Sequence, residues 1–357
     1  CRAYPGNPDT RVHLVTSAAQ TRTVQEALLQ RRRQVGHLHD TAVLFRVWSQ
    51  AVPIELACLA AGIDYRIEAG KGAFSNPDVR HILFLLELAG GRCATMSVAQ
   101  RRERFQGLLR FPHVGLKDEI LQRLADAASQ HGERWGDHLL AALPEDLHAL
   151  QKFKLRRCAR LWNLLPTLRG KAVDVLREYA AETELLRGIR DLALTRESGD
   201  ERVNNVNQMI GYIDTLGLTC RDALAHFDQL AQRAADTASN GGLTLATIHK
   251  TKGLEWDAVF VIGLSERYLP YLHQSGSSVP EDSHIEAERR LLYVAITRCR
   301  QELTLFTPYP SADASDPEST PSRFVAEMGC APRDKPRFTP FKRHRQARIS
   351  PGPDKAR

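Results

Sequence analysis

The sequence lacks the features of a membrane protein or a disulfide-stabilised secreted protein. Its 357 residues contain no run of 18 apolar residues, which excludes a membrane-spanning helix, and no basic–apolar–small signal segment at the start. The seven cysteines are odd in number, lie far apart and form no C-x-x-C pair. This pattern argues against a disulfide framework and against a structural zinc site. We therefore expect a reducing, cytoplasmic location and no membrane contact.

The sequence motifs of several enzyme classes are absent as well. Neither the P-loop pattern G-x-x-x-x-G-K-[ST] nor HExxH, G-x-S-x-G or G-x-G-x-x-G occurs. Lys252 precedes Gly253, which is the reverse of the P-loop order. The chain thus has no phosphate cradle of its own, and any nucleotide would be contacted from the opposite side of a site that another domain supplies.

The net charge of +7 belongs entirely to the C-terminal tail. Of the 49 basic and 42 acidic residues, nine and two lie in residues 331–357, so residues 1–330 have 40 of each. The tail is basic, rich in proline and without apolar periodicity, so we expect it to be disordered, with a phosphate-binding arm as the alternative. The overall charge is therefore no evidence that the folded part binds DNA.

Strand and helix patterns alternate at both ends of the chain but not in its middle. Strands are predicted at 12–16, 41–47, 64–68, 243–248, 258–264 and 302–307, and helices at 21–33, 53–61 and about 283–297. From about 78 to 236 the spacing is helical, with apolar stripes at Leu161, Leu164, Leu165 and Leu168 and at Val203, Val206, Ile210 and Ile213. The pattern predicts a parallel-sheet α/β domain interrupted by a mostly helical insertion.

Two segments concentrate polar residues next to predicted strands. Residues 244–260 read TLATIHKTKGLEWDAVF, and residues 286–300 read EAERRLLYVAITRCR. Because parallel sheets bind ligands at the carboxyl ends of their strands, we expect function in the loops after Ile248 and around Thr297. The alternatives from composition are an ordinary loop histidine at 249 and a solvated helical face at 288–290.

These strings resemble conserved motifs of one enzyme family. TIHKTKGLEW (247–256) and ERRLLYVAITR (288–298) are similar to motifs V and VI of the UvrD/PcrA/Rep-type superfamily 1 DNA helicases. The stretches at 42–46, 62–67 and 321–324 are weaker matches to the same family. The resemblance covers about residues 10–328.

The resemblance implies a particular domain organisation. Residues 1–80 and 237–330 would form the second RecA-like motor domain, a P-loop NTPase-like fold without its own P-loop. Residues 81–236 would be the inserted helical domain, and 331–357 the basic tail. The first motor domain, with Walker A, Walker B and the Gln motif, is absent from the sequence, and the first residue is Cys1. We therefore expect the C-terminal half of a longer protein, inactive as an ATPase by itself.

The resemblance also implies roles in an ATP site between the two motor domains. Arg298 would be the arginine finger at the γ-phosphate, since a planar, permanently charged donor stabilises a transferring phosphoryl group. Glu255 would accept a hydrogen bond from the ribose, and Lys252 and Gly253 would approach the phosphates. The cofactor would be ATP with Mg²⁺, whose ligands are expected from the missing first motor domain.

The implied DNA contacts come from four residues. Thr247 and His249 would face the single strand, Arg46 would contact it from the motif IVa strand, and Lys117 would contact duplex DNA. The last belongs to residues 111–118, FPHVGLKD, where relatives have T-P-x-R-G-I-G-D, so a glycine is replaced by lysine. Residues 47–52, VWSQAV, replace the family's Asn-Ala-Gln-Ser-Arg and remove one expected arginine.

The predicted function is the C-terminal half of an ATP-dependent 3′–5′ DNA helicase or translocase. Its partners would be single-stranded DNA, single/double-strand junctions and the missing N-terminal motor domain. The alternative is a non-catalytic DNA-binding or adaptor module that keeps a motor-like fold. A helicase-nuclease is the third option, but it would need a carboxylate and lysine cluster after residue 330, which the tail lacks.

Overall fold

Six strands form one parallel sheet in the computed structural model, which describes residues 10–111, 114–237, 242–271, 282–309 and 316–329. The strands are β1 (Arg11–Thr16), β2 (Thr41–Phe45), β3 (Tyr65–Ile67), β4 (Leu243–Thr247), β5 (Trp256–Val261) and β6 (Cys299–Thr307). Their order across the sheet is β1–β6–β5–β2–β4–β3, and every neighbouring pair is parallel. The predicted α/β class with a parallel sheet is confirmed.

Thirteen α-helices are assigned in the described residues. They are α1 (Gln20–Val35), α2 (Ala51–Ala60), α3 (Pro77–Ala89), α4 (Val98–Leu109), α5 (Asp118–Ser129), α6 (Trp135–Ala141), α7 (Ala149–Leu164), α8 (Ala172–Glu182), α9 (Leu185–Asp191), α10 (Arg196–Leu216), α11 (Cys220–Thr237), α12 (Asp282–Thr297) and α13 (Arg323–Glu327). Helices α3 to α11 lie between β3 and β4. The regular elements described between residues 77 and 237 are therefore all helical, as predicted.

Both faces of the sheet are covered, which explains the continuous apolar sequence of its central strand. All five residues of β2 are buried. Because side chains alternate along a strand, Val43 and Phe45 pack with α1 and α2, whereas Ala42 and Leu44 pack with α12 and α13. The sheet therefore offers only its two edges, where strands begin and end, for binding a ligand.

The helical segment shares an apolar core with α2, and one of its two predicted stripes needs correction. Val203, Val206, Ile210 and Ile213 are all buried, as expected. In the other stripe Leu164 is 40% exposed. Helix α7 ends at Leu164 and a 3₁₀ turn containing Pro166 follows, so the α-helical spacing does not continue to Leu168.

Two strand boundaries differ from the prediction by three residues. The fifth strand ends at Val261 rather than at 264, and Gly263 adopts a left-handed conformation (φ +72°) just beyond it. The sixth begins at Cys299 rather than at 302, because Cys299 pairs with Trp256 at the start of β5. Strand β5 begins directly after Glu255 and strand β6 directly after Arg298, so each strand starts next to a polar residue of a motif-like segment.

We expect Gly136→Ala to destabilise the fold by about 1–3 kcal/mol, since it overpacks a close helix contact. A Cβ at Gly136 in α6 would lie 1.9 Å from the carbonyl oxygen of Ala159 in α7. The matched control is Gly211→Ala in α10, where nothing lies within 4 Å, and we expect it to be neutral or stabilising by up to about 1 kcal/mol. Urea unfolding of the two variants and the wild type measures the change in stability. Equal midpoints for Gly136→Ala and Gly211→Ala would contradict the close contact at Gly136.

Candidate functional site

The predicted site residues other than Lys117 fall at two opposite edges of the sheet. Glu255 and Arg298 immediately precede β5 and β6, so they lie at the amino edge. Arg46 follows β2, and Thr247 ends β4, so these two lie at the carboxyl edge. Six residues of β5 span about 20 Å. The expectation that the helix end at Thr297 lies at the carboxyl edge is therefore wrong, because that helix returns to the starting edge of the next parallel strand.

Arg298 is tied to the end of α12 by neutral acceptors. Its Nε donates to the carbonyl of Val294 at 3.1 Å, Nη1 to the carbonyl of Leu254 at 3.2 Å, and Nη2 to Thr297 Oγ1 at 3.0 Å. The last carbonyls of a helix have no partner within the helix, which is why a cation is favourable there. Within the described part of the chain no carboxylate pairs with Arg298, so its charge is not compensated locally.

Glu255, Lys252 and Gly253 form the exposed remainder of the amino edge. Arg300 Nε lies 3.3 Å from Glu255 Oε2, and both side chains are about half exposed (52% and 51%). A pair this exposed contributes at most about 1 kcal/mol. Gly253 has φ +81° with open space where a Cβ would be, and Lys252 is exposed. The sequence motifs alone did not indicate the partner Arg300.

The carboxyl edge is built on a buried ion pair between Arg46 and Glu288. Arg46 Nη2 donates to Glu288 Oε1 at 2.8 Å and its Nε to Oε2 at 3.0 Å, with side-chain exposures of 18% and 6%. The backbone N–H of Tyr271 donates to Glu288 Oε2 at 3.1 Å, and the Tyr271 ring lies 5.1 Å from the guanidinium. Arg46, a predicted DNA contact, therefore holds α12 to the end of β2.

Residues 288–290 do not form a uniformly solvated face, which was the alternative interpretation. Arg290 is exposed and pairs with Glu286, as that interpretation expects, but Glu288 is 4% exposed. The signal was present in the sequence, because 285, 288, 292 and 295 follow helical spacing and all four are buried. A carboxylate on the buried stripe of an amphipathic helix requires a cationic partner.

Thr247 and His249 lie at the same edge but differ in accessibility, and Thr247 pairs with Phe45, the residue before Arg46. Thr247 is buried (7% exposed), whereas His249 is exposed. Partial desolvation of the imidazole, followed by the positive charge of Arg46, lowers the pKa of His249. The ring is therefore neutral near pH 7, with one nitrogen able to donate and the other to accept a hydrogen bond.

Helix α12 connects the two edges. Glu288 lies in its middle, at the carboxyl edge, and Arg298 follows its last residue at the amino edge. Ten residues of helix correspond to about 15 Å. A single rigid element therefore carries one charged group to each edge of the sheet.

Comparison with known proteins decides the family. Residues 15–308 match the model of the UvrD-like helicase C-terminal domain. The chain belongs to this family. The prediction drawn from the two motifs is thereby confirmed, and the parallel sheet with its covering helices is the RecA-like core of a UvrD-like C-terminal domain.

Several named helicases are similar to this UvrD-like domain along most of its length. The ATP-dependent DNA helicase PcrA of Bacillus subtilis (strain 168) is 27% identical over 314 residues, covering 82% of this chain and 40% of that protein. PcrA of Staphylococcus aureus (strain Mu50 / ATCC 700699) is 24% identical, covering 88% and 43%. UvrD1 of Mycobacterium bovis is 25% identical, covering 81% and 39%. The chain spans about two fifths of the length of these relatives.

The fourth predicted DNA contact of the UvrD-like domain lies in its helical segment. Lys117 is exposed in the turn before α5 and belongs to neither edge of the sheet. Gly115 in the same turn has φ +71°, and its carbonyl accepts a hydrogen bond from Gln151 Nε2 at 2.7 Å. The preceding residues 112 and 113, and the tail 331–357, lie outside the described residues.

Two further predictions concern metals and membranes. Over the ranges that the structure describes, no group of three His, Cys, Asp or Glu side chains is arranged to hold a metal ion. Helices in those same ranges are too short or too polar to cross a membrane. The expected supply of Mg²⁺ ligands by another domain stays a prediction.

Proposed function

We propose that this chain is the second motor domain of an ATP-dependent 3′–5′ DNA helicase or translocase. Residues 1–80 and 237–330 would form the motor domain and 81–236 its helical insertion. The amino edge of the sheet is one side of an interdomain ATP site, and the carboxyl edge is part of the single-stranded DNA track. The observation that carries this proposal is the linkage of the two edges by α12, with Glu288 at one and Arg298 at the other.

The residues of the amino edge have the chemistry that such a site requires. The guanidinium of Arg298 is held by neutral oxygens only, so it can turn toward a phosphate without breaking an ion pair. A planar, permanently charged donor stabilises charge on a phosphoryl group. Glu255 can exchange its exposed Arg300 partner for a ribose hydroxyl at little cost.

The exposed loop of Lys252 and Gly253 completes this side of the site. Bound ATP with Mg²⁺ would supply the free energy of the cycle, and the first motor domain would supply the P-loop and the Mg²⁺ ligands. The absence of any P-loop pattern in this chain fits that division. For the same reason, the chain alone is expected not to hydrolyse ATP.

The carboxyl edge suits a nucleic-acid backbone. Neutral His249 offers both a donor and an acceptor at the exposed surface of this edge, with the buried Thr247 two residues before it. We propose that Arg46 acts mainly by fixing α12 through Glu288, and that only the small exposed part of its side chain contacts DNA. Lys117 in the helical segment would meet the duplex part of a single/double-strand junction.

The linkage by α12 gives a route from nucleotide to DNA. Closure of the two motor domains on ATP would act on α12 at Arg298. Since a helix moves as a unit, the displacement would reach the Arg46–Glu288 pair and the adjacent His249. The non-catalytic adaptor alternative needs no such linkage.

Edge-specific variants test the assignment in the complete protein with both motor domains. We expect His249→Ala to weaken single-stranded DNA binding about tenfold with little effect on the KM for ATP. Glu255→Gln should raise the KM for ATP about tenfold and leave the affinity for single-stranded DNA unchanged. Both side chains are exposed, so neither change should affect folding. Fluorescence anisotropy and steady-state ATPase assays measure the two effects.

The outcomes of this experiment separate the alternatives. If each variant changes the affinity for single-stranded DNA and the KM for ATP equally, the two-edge assignment is wrong. If Glu255→Gln changes nothing because no ATP turnover exists, the chain is a DNA-binding module without a motor role.

A further inference from the structure

Trp48 differs from the other tryptophans in its surroundings. It follows β2 at the carboxyl edge, two residues after Arg46, and is partly exposed. The remaining three, Trp135, Trp162 and Trp256, are 3%, 0% and 3% exposed. Within the described ranges the Trp48 indole N–H has no hydrogen-bond partner, yet it is not sealed from solvent. A tryptophan that serves only the core usually satisfies this group.

The ring of Trp48 is held in place by contacts with Phe45 and with the backbone of Gly70. Phe45 contacts it edge-on, with ring centroids 5.2 Å apart and planes at 63°. The backbone of Gly70 lies directly on the indole, because a Cβ there would be only 2.1 Å from Trp48 Cζ2. The preceding Ala69 has a strained left-handed conformation (φ +54°). The loop at 69–72 thus fixes the aromatic plane without covering it completely.

This loop belongs to the same edge as the predicted DNA contacts. It follows β3, which pairs with β4, and Thr247 ends β4. Lys71 in the loop is exposed and has no ion-pair partner within the described residues. Glu68, at the start of the loop, offsets this charge. Attraction of a polyanion by the loop is therefore small, and the aromatic surface is the distinguishing feature.

We propose that Trp48 stacks on a base of bound single-stranded DNA, with Lys71 against a neighbouring phosphate. The inference rests on the proposed function and adds a nucleotide-binding position that the family motifs do not contain, since Trp48 lies in the run that replaces the family's polar Asn-Ala-Gln-Ser-Arg. A ring already fixed by Phe45 and Gly70 loses little freedom on stacking. Stacking tolerates any base, which suits a translocating protein.

Tryptophan fluorescence tests the proposal directly, because Trp48 is the single partly exposed tryptophan of the four. We expect titration of the 357-residue chain with oligothymidylate to quench the emission. Trp48→Leu keeps an apolar contact with Phe45 and should abolish the quenching. It should also weaken binding by about 5- to 150-fold, measured by the anisotropy of labelled oligothymidylate. Lys71→Ala should weaken binding by a few fold and leave the quenching in place.

The control variant is Leu150→Ala, an exposed apolar residue on α7 that should change neither signal. Circular dichroism of Trp48→Leu verifies that it is folded; if it is not, Trp48→Phe, which can still stack, should bind within a few fold of wild type. Binding by Trp48→Leu at wild-type affinity, or wild-type binding without quenching, overturns the stacking proposal and leaves the proposed function intact. No binding of oligothymidylate by the wild-type chain, which carries the whole carboxyl edge, overturns the stacking proposal. The variants His249→Ala and Glu255→Gln in the complete protein then test the proposed function separately.

Discussion

Arg298→Lys is expected to lower DNA-stimulated ATP turnover at least about 100-fold in the complete protein with both motor domains. A finger contributes of order 10³–10⁵ in phosphoryl transfer, because its planar fork contacts charge that develops in the transition state. Lysine keeps the positive charge but loses that fork. Single-strand affinity and the melting temperature should change little. Single-turnover ATPase assays and thermal unfolding measure the two effects.

A structural role for Arg298 predicts a different outcome. Its bonds to the carbonyls of Val294 and Leu254 would then serve only to cap α12, a contribution of about 0.3–1 kcal/mol. Arg290→Lys, on an exposed part of the same helix, is the matched control and should leave turnover unchanged. Turnover near the wild-type value together with a lower melting temperature would show that Arg298 is a cap and not a finger.

Glu288→Gln is expected to reduce the free energy of unfolding by about 3 kcal/mol. The substitution leaves the Arg46 guanidinium largely buried without its counter-charge, which is the most costly way to disrupt a buried pair. The hydrogen bond from the Tyr271 N–H to the carboxylate is weakened at the same time. Urea unfolding of the chain measures the change, with the transition slope checking two-state behaviour.

The control for this prediction lies on the same helix. Glu286→Gln removes a carboxylate whose partners Arg289 and Arg290 are exposed, so the expected change is within about 0.5 kcal/mol. A double-mutant cycle with Arg46→Gln should give a coupling energy of 1 kcal/mol or more, on the order measured for contacting charges. Equal effects of Glu286→Gln and Glu288→Gln would contradict the buried-pair interpretation.

The sequence predicted those parts of the protein that local patterns encode. A strand buried on both faces must be apolar throughout, so β2 is visible in the sequence, and a long stretch without strand patterns marks the helices from α3 to α11. The two motif-like segments indicate the family by themselves, because their order and spacing are specific. The roles assigned to single residues, Arg298 and Lys117 among them, stay predictions.

Only the tertiary structure decided how these residues are distributed. Both motif-like segments were expected to act at the same edge of the sheet. Each strand of a parallel sheet begins at one edge and ends at the opposite edge, so Arg298, before β6, and Thr247, at the end of β4, are separated. Arg46 and Glu288 are 242 positions apart, and no local periodicity connects a strand end with a helix that far along the chain. Likewise, Trp48 became a candidate base contact through the position of Gly70 on its ring, a packing relation set by the pairing of β3 with β4. Sequence patterns report which residues are buried or polar, whereas partnership between distant residues depends on the path of the whole chain.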